Sequence, residues 1–151
     1  DLLWRGRKVA GTLAELRTTG TTVLDLVVGT GFNVAQEEGD FPPALAGSAA
    51  SLAMATGRGV ERERLFALYV AALLDRARQL RAGEWEAVRA RWSALALAPN
   101  GGRVRVHPGR GAPPFEAVTE GIDASGALRV RDDRGTARTL SLGESLLHLE
   151  A

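Results

Sequence analysis

The 151 residues carry 19 Lys and Arg against 18 Asp and Glu, with 45% hydrophobic residues. That is enough chain for one core domain plus a small satellite, and its near-zero net charge offers no global field for nucleic acid. With zero cysteines there are no disulfides or thiolate metal sites; His107 and His148 show no ligand spacing, and the longest apolar run, Ala67 to Leu74, is far short of the ~20 residues of a membrane span.

The first strand is expected over Val9 to Leu16, headed by Gly6-Arg7-Lys8. Arg17-Thr18-Thr19-Gly20-Thr21 supplies turn chemistry before a second β-rich run, Thr22 to Val28, so the pair reads as an antiparallel hairpin. Gly29-Thr30-Gly31-Phe32-Asn33 follows, where two glycines allow a tight turn beneath a flat ligand, and an Asn amide offers a donor and an acceptor matching an adenine edge. Gln36 to Pro43 reads as a polar, proline-closed loop, which argues against a dinucleotide-binding βαβ unit. Ala44 to Ala55 is expected as a short helix ended by Thr56-Gly57.

Val60 to Arg81 has a helical face of Leu65, Leu68, Tyr69, Ala72 and Leu73, acidic residues near its start and arginines near its end, with Gly83 as the stop. The next helix carries the clearest periodicity in the chain: Trp85, Val88, Trp92 and Leu95 on one stripe, read as core. Ala98 to Gly102 then breaks the pattern and marks a domain boundary. Beyond it come pairs two apart, Val104 and Val106, Ala117 and Thr119, Leu128 and Val130, Leu140 and Leu142, with turns at Pro108 to Pro114, Asp123 to Gly126 and Asp132 to Gly135. Short strands at this spacing suggest a small barrel.

Taken in order, Asp1-Leu2-Leu3, Gly6-Arg7-Lys8-Val9-Ala10-Gly11-Thr12-Leu13-Ala14-Glu15, Gly29-Thr30-Gly31-Phe32-Asn33, Phe41-Pro42, Ser51-Leu52, Arg91-Trp92 and Gly121-Ile122-Asp123 through Gly126-Ala127-Leu128 resemble the motifs of the biotin protein ligases. The match is collinear over nearly the whole chain. It implies an α/β fold of α+β type, a mixed sheet with packed helices over residues 1–98 as the C-terminal part of the catalytic domain, then a small SH3-like barrel over 99–151. The family's biotin-binding loop lies upstream of Asp1, and the sole methionine is Met54, so a fragment lacking one wall of the biotin pocket is the expectation.

The resemblance also implies chemistry. Lys8 would face the biotin carboxylate and the ATP phosphates, where a fixed ammonium stabilises charge as pyrophosphate leaves; alone it is an ordinary solvated lysine. Asp1 would assist attack by the acceptor lysine, unless it is merely terminal. Gly11, Gly29, Gly31, Phe32 and Asn33 would bind substrate or nucleotide, with Mg²⁺ entering on ATP and no metal ligands in the protein. The expected activity is formation of biotinyl-5′-adenylate and transfer of biotin to a lysine of the biotin carboxyl carrier protein of acetyl-CoA carboxylase, in the cytoplasm. It admits a homodimer and involves neither nucleic acid nor membrane. A lipoate-type acyl ligase and a non-catalytic interaction module remain the alternatives.

Overall fold

A computed structural model describes residues 1–20, 22–108, 112–140 and 145–148. The chain forms two compact units, Asp1–Ala72 and Leu73–Ala151. The architecture is the expected α+β type, built on two antiparallel sheets with strand orders β1-β2-β3 and β7-β6-β5-β4-β8.

In the first unit, β1 (Leu2–Trp4) turns back through Arg5-Gly6 into β2 (Arg7–Thr19), which pairs with β3 (Thr22–Phe32). Arg5 and Gly6 both have positive φ, 49° and 76°, the two-residue turn whose twist matches a hairpin. The hairpin after Thr19 was expected; the short β1 was not, because three residues carry too little periodicity to read. Gly29 to Phe32 were expected in a tight turn, and they instead complete β3, where Gly31 faces Gly11 and Gly29 faces Leu13 across the ladder. The ladder of β2 extends opposite them, and pairing its edge outweighs the glycines' preference for turns.

The helix expected over Ala44 to Ala55 is also corrected. Glu38–Asp40 and Pro43–Leu45 are single 3₁₀ turns, and only α1, Leu52–Thr56, is α-helical. Residues 48–50 are drawn out beside β2, where Ala49 forms a parallel bridge with Lys8; this tertiary pairing overrides alanine's helical preference. Ser51 starts α1 by accepting a hydrogen bond from Met54 N at 3.1 Å, and Gly57 ends it in the left-handed conformation. The buried residues of this unit, Val9, Ala10, Val34, Ala49, Ala50 and Ser51, all lie where β2, the end of β3 and the 48–51 segment meet.

α2 (Arg62–Arg81) and α3 (Trp85–Leu95) form where helices were expected, with Gly83 between them at φ 78°; of the face expected on α2, Leu65 and Tyr69 are half-buried, while Leu68, Ala72 and Leu73 are exposed. The stripe on α3 is shallower than expected: Trp85 and Val88 are half-buried, while Trp92 and Leu95 are exposed. Among the described residues, no helix is long and apolar enough to cross a membrane.

The second sheet joins β4 (Asn100–His107), β5 (Phe115–Ile122), β6 (Leu128–Asp132), β7 (Ala137–Thr139) and β8 (Ser145–His148). Its inward face is Val104, Val106, Ala117 and Val130, with Phe115, Leu128 and Leu140 packed against them. These are the positions that the period-two pattern picks out. Asp123 and Asp132 close the expected turns by accepting backbone N–H bonds from the residues that follow. Leu142 and Gly109 to Gly111 lie outside the described residues.

Candidate functional site

The buried junction of the first unit presents Lys8. Leu2 pairs with Ala10 but Leu3 with Lys8, so β2 carries one extra residue there. Such a bulge re-aims the side chains beside it. The Lys8 ammonium swings over Gly11: a Cβ placed on Gly11 would stand 3.0 Å from Lys8 Nζ and 3.2 Å from Asp1 Oδ1. Lys8 Nζ and Asp1 Oδ1 are themselves 2.9 Å apart, both side chains about half exposed. An exposed pair of this kind adds little stability, so the two charges remain free to re-pair with a ligand.

The Lys8 backbone is held from the side opposite β1. Its N–H donates to Ser48 O (2.8 Å) and its carbonyl accepts from Ala50 N (2.9 Å). Asn33 adds a second tie, its Nδ2 donating to Lys8 O (3.2 Å) and to Ala50 O (3.0 Å), while its carbonyl accepts from Leu52 N at 2.8 Å. Both amide hydrogens are thus used within the chain, and Oδ1 is the atom left to meet a ligand.

Register separates the remaining candidates onto two faces. Gly11, Gly31 and Gly29 share one, with Leu13; a Cβ added to Gly29 or Gly31 would meet nothing within 4 Å. The other face carries Ala10, Phe32, Thr12 and Thr30. There Phe32 packs edge-on against Tyr69 of α2, with ring centroids 5.3 Å apart, and the Thr30 hydroxyl lies 2.5 Å from the Tyr69 hydroxyl. The structure therefore brings Lys8, Asp1, Gly11 and Asn33 together, extends the floor through Gly31 and Gly29, and places the Phe32 ring beneath that floor. Sequence reasoning assigned no role to Arg7, whose guanidinium bonds Ala49 O and Glu38, or to Ser48 and Ala50, which act through backbone bonds that residue type does not reveal. The bare glycine strip beside a half-exposed ammonium suits a flat ligand bearing an anion.

No protein-family model matches the chain. Among solved structures, the apo biotin protein ligase of Aquifex aeolicus superposes with a TM-score of 0.79 at 20% identity, covering 97% of this chain and 61% of that one. The same ligase in complex with biotin and ATP gives 0.76 at 20% identity, over 97% and 58%. The fold is thus that of the biotin protein ligases. By sequence, the bifunctional ligase/repressor BirA proteins of Bacillus subtilis and Bacillus spizizenii are each 28% identical over 141 residues, 93% of this chain and 42% of theirs. The chain is similar to the biotin protein ligases over their C-terminal part and spans less than half the length of these curated relatives.

Proposed function

We propose that this chain is the C-terminal part of a biotin protein ligase, residues 1–98 completing the catalytic domain and 99–151 forming an SH3-like barrel. In the first step the biotin carboxylate attacks the α-phosphorus of ATP and pyrophosphate leaves. Lys8 stands where its ammonium offsets the charge that builds on the phosphate. In the second step the amine of an acceptor lysine attacks the acyl carbon of biotinyl-5′-adenylate, AMP leaves, and Asp1 takes the proton. The acceptor is a biotin carboxyl carrier protein of acetyl-CoA carboxylase, and the setting is cytoplasmic. Gly11, Gly31 and Gly29 form the floor, Asn33 Oδ1 accepts from the adenine amine, and Phe32 supports the floor from below. Mg²⁺ would arrive on the triphosphate, held by its oxygens.

One observation carries this reading. Neither left-handed backbone nor any neighbouring atom requires glycine at positions 29 and 31, and a glycine inside a strand costs roughly 0.5–1 kcal/mol relative to alanine. The room above them is therefore explained by something that lies on the strip.

The test separates fold from ligand. Gly31→Val should leave the melting temperature unchanged or raise it, while ATP affinity measured by calorimetry falls by tenfold or more; a variant that keeps full ATP affinity would remove the strip from the site. Supplied alone, residues 1–151 should not turn over, since a biotin pocket with one wall missing leaves the ureido group's hydrogen bonds to solvent. Biotinylation of a carrier domain at a normal rate by this chain alone would overturn the expectation of a missing wall, while supporting the ligase activity itself.

A further inference from the structure

The segment 48–50 that brackets Lys8 is secured by a side chain that no catalytic role accounts for. Arg7 Nε donates to Ala49 O at 2.8 Å, and Arg7 Nη2 reaches Glu38 Oε2 at 2.6 Å. Together with Ser48 O, Ala50 N and Ala50 O, which are bonded to Lys8 and Asn33, this leaves the three-residue segment tied to Arg7, Lys8 and Asn33 at four backbone groups. The Arg7 side chain is 21% exposed, against 50% for its neighbour Lys8; of these adjacent residues, one is anchored in the fold and the other projects to its surface.

The chemistry favours arginine here. A planar guanidinium can address a carbonyl and a carboxylate at once in fixed geometry, whereas an ammonium on a flexible stem cannot. A partly exposed ion pair such as Arg7 with Glu38 contributes little to stability by itself. Its consequence is geometric, because the bonds it completes tie the 38–50 loop to the first residue of β2, 42 residues from Ala49 in sequence.

We propose that Arg7 is a positioning residue for Lys8: by clamping Ala49 and Glu38 to the start of β2, it fixes the backbone from which the Lys8 ammonium projects over Gly11. This rests on Lys8 being the cation that meets the phosphates of ATP. A role confined to folding would weaken every property together, whereas positioning makes the effect of Arg7 depend on Lys8.

The experiment is a double-mutant cycle on the 151-residue chain with ATP as probe, accompanied by amide hydrogen exchange. Arg7→Met should weaken ATP binding about tenfold, within the range measured for coupled neighbours, and Arg7→Lys should recover part of that loss. In a Lys8→Ala background, Arg7→Met should change ATP affinity less than about twofold. Losses that multiply independently would overturn the proposal. The Lys8 and Ala50 amides should exchange faster in Arg7→Met while those of Val104 and Val106 do not, and unchanged exchange at Lys8 and Ala50 would also overturn it. Should the unaltered chain fail to bind ATP, the ligase reading fails, yet the exchange comparison still decides whether Arg7 holds the Lys8 backbone.

Discussion

The two sheets use similar residues to opposite ends. In the five-stranded sheet, apolar residues alternate with charged ones, and Val104, Val106 and Val130 are fully buried. Its outer face is a lattice of paired charges in which Glu116 bridges Arg103 and Arg105, each at 2.9 Å, and Glu120 meets Arg131 at 2.6 Å. The β2-β3 hairpin is apolar on both faces, yet beyond Gly11 it stays exposed: Leu13 65%, Leu26 57%, Val27 59%. The second sheet encloses its own core, whereas the hairpin is buried only at the end that carries Lys8. Contiguous exposed apolar surface of this kind marks places where other surfaces rest, so the sheet that presents Lys8 is also the one that is not self-sufficient.

The sharpest way to break that comparison is to put the same charge on each sheet. Val104→Asp buries a carboxylate without a partner and should cost on the order of 3–5 kcal/mol, read by urea unfolding. Leu26→Asp should stay within about 0.5 kcal/mol and improve solubility. A large loss from Leu26→Asp would show that the hairpin face is covered in solution, and a tolerated Val104→Asp would mean that the inward face of the second sheet is no core.

A smaller effect is expected where the first sheet is buried. Asn33→Asp replaces a donor to two backbone carbonyls with an acceptor, so Lys8 O and Ala50 O would face a carboxylate at about 3 Å. The expected loss is about 1–3 kcal/mol, accompanied by weaker ATP binding. Ser51→Ala removes the N-cap of α1 and should cost about 1 kcal/mol. A Ser51→Ala variant that melts normally but binds ATP poorly would move Ser51 from the frame into the site.

How much of this was legible in the sequence differs between the sheets for the same physical reason. Alternation at Val104/Val106, Ala117/Thr119 and Leu128/Val130 encodes an inside and an outside, and β4, β5 and β6 form where it occurs. Leu24-Asp25-Leu26-Val27-Val28 encodes a strand but no side, so its exposure could not be read. Lys8, Asp1, Gly11 and Asn33 were marked by motif and do converge. Gly29 and Gly31 were read as a turn because glycine punctuates more often than it pairs, and only the ladder with Gly11 and Leu13 shows them as a floor. The helix expected over Ala44 to Ala55 failed because alanine preference is local, while the bridge between Ala49 and Lys8 spans 41 residues, a distance at which local pattern has nothing to say.

The last contrast is one of pH and has no effect near neutrality. In the second sheet, backbone N–H donation from Thr136 foremost, and then the Arg138 guanidinium and the Arg134 N–H, hold the Asp132 carboxyl below its ordinary range despite its burial. Glu116 is held down by Arg105 and Arg103, and Asp123 by Ser125 and Ala127. A carboxylate whose folded pKa lies below its unfolded one adds stability that is fully present above the unfolded value, about 3.9 for Asp and 4.3 for Glu, and that is lost as pH falls through the folded value. The second unit should therefore keep a constant melting temperature down to about pH 5 and lose it steadily below pH 4. Asp132→Asn should lower the plateau and flatten the acid limb, because the proton that the folded state resists is no longer there to bind. An acid limb of unchanged steepness in Asp132→Asn, followed by tryptophan fluorescence, would assign the acid sensitivity to Glu116 and Asp123 instead.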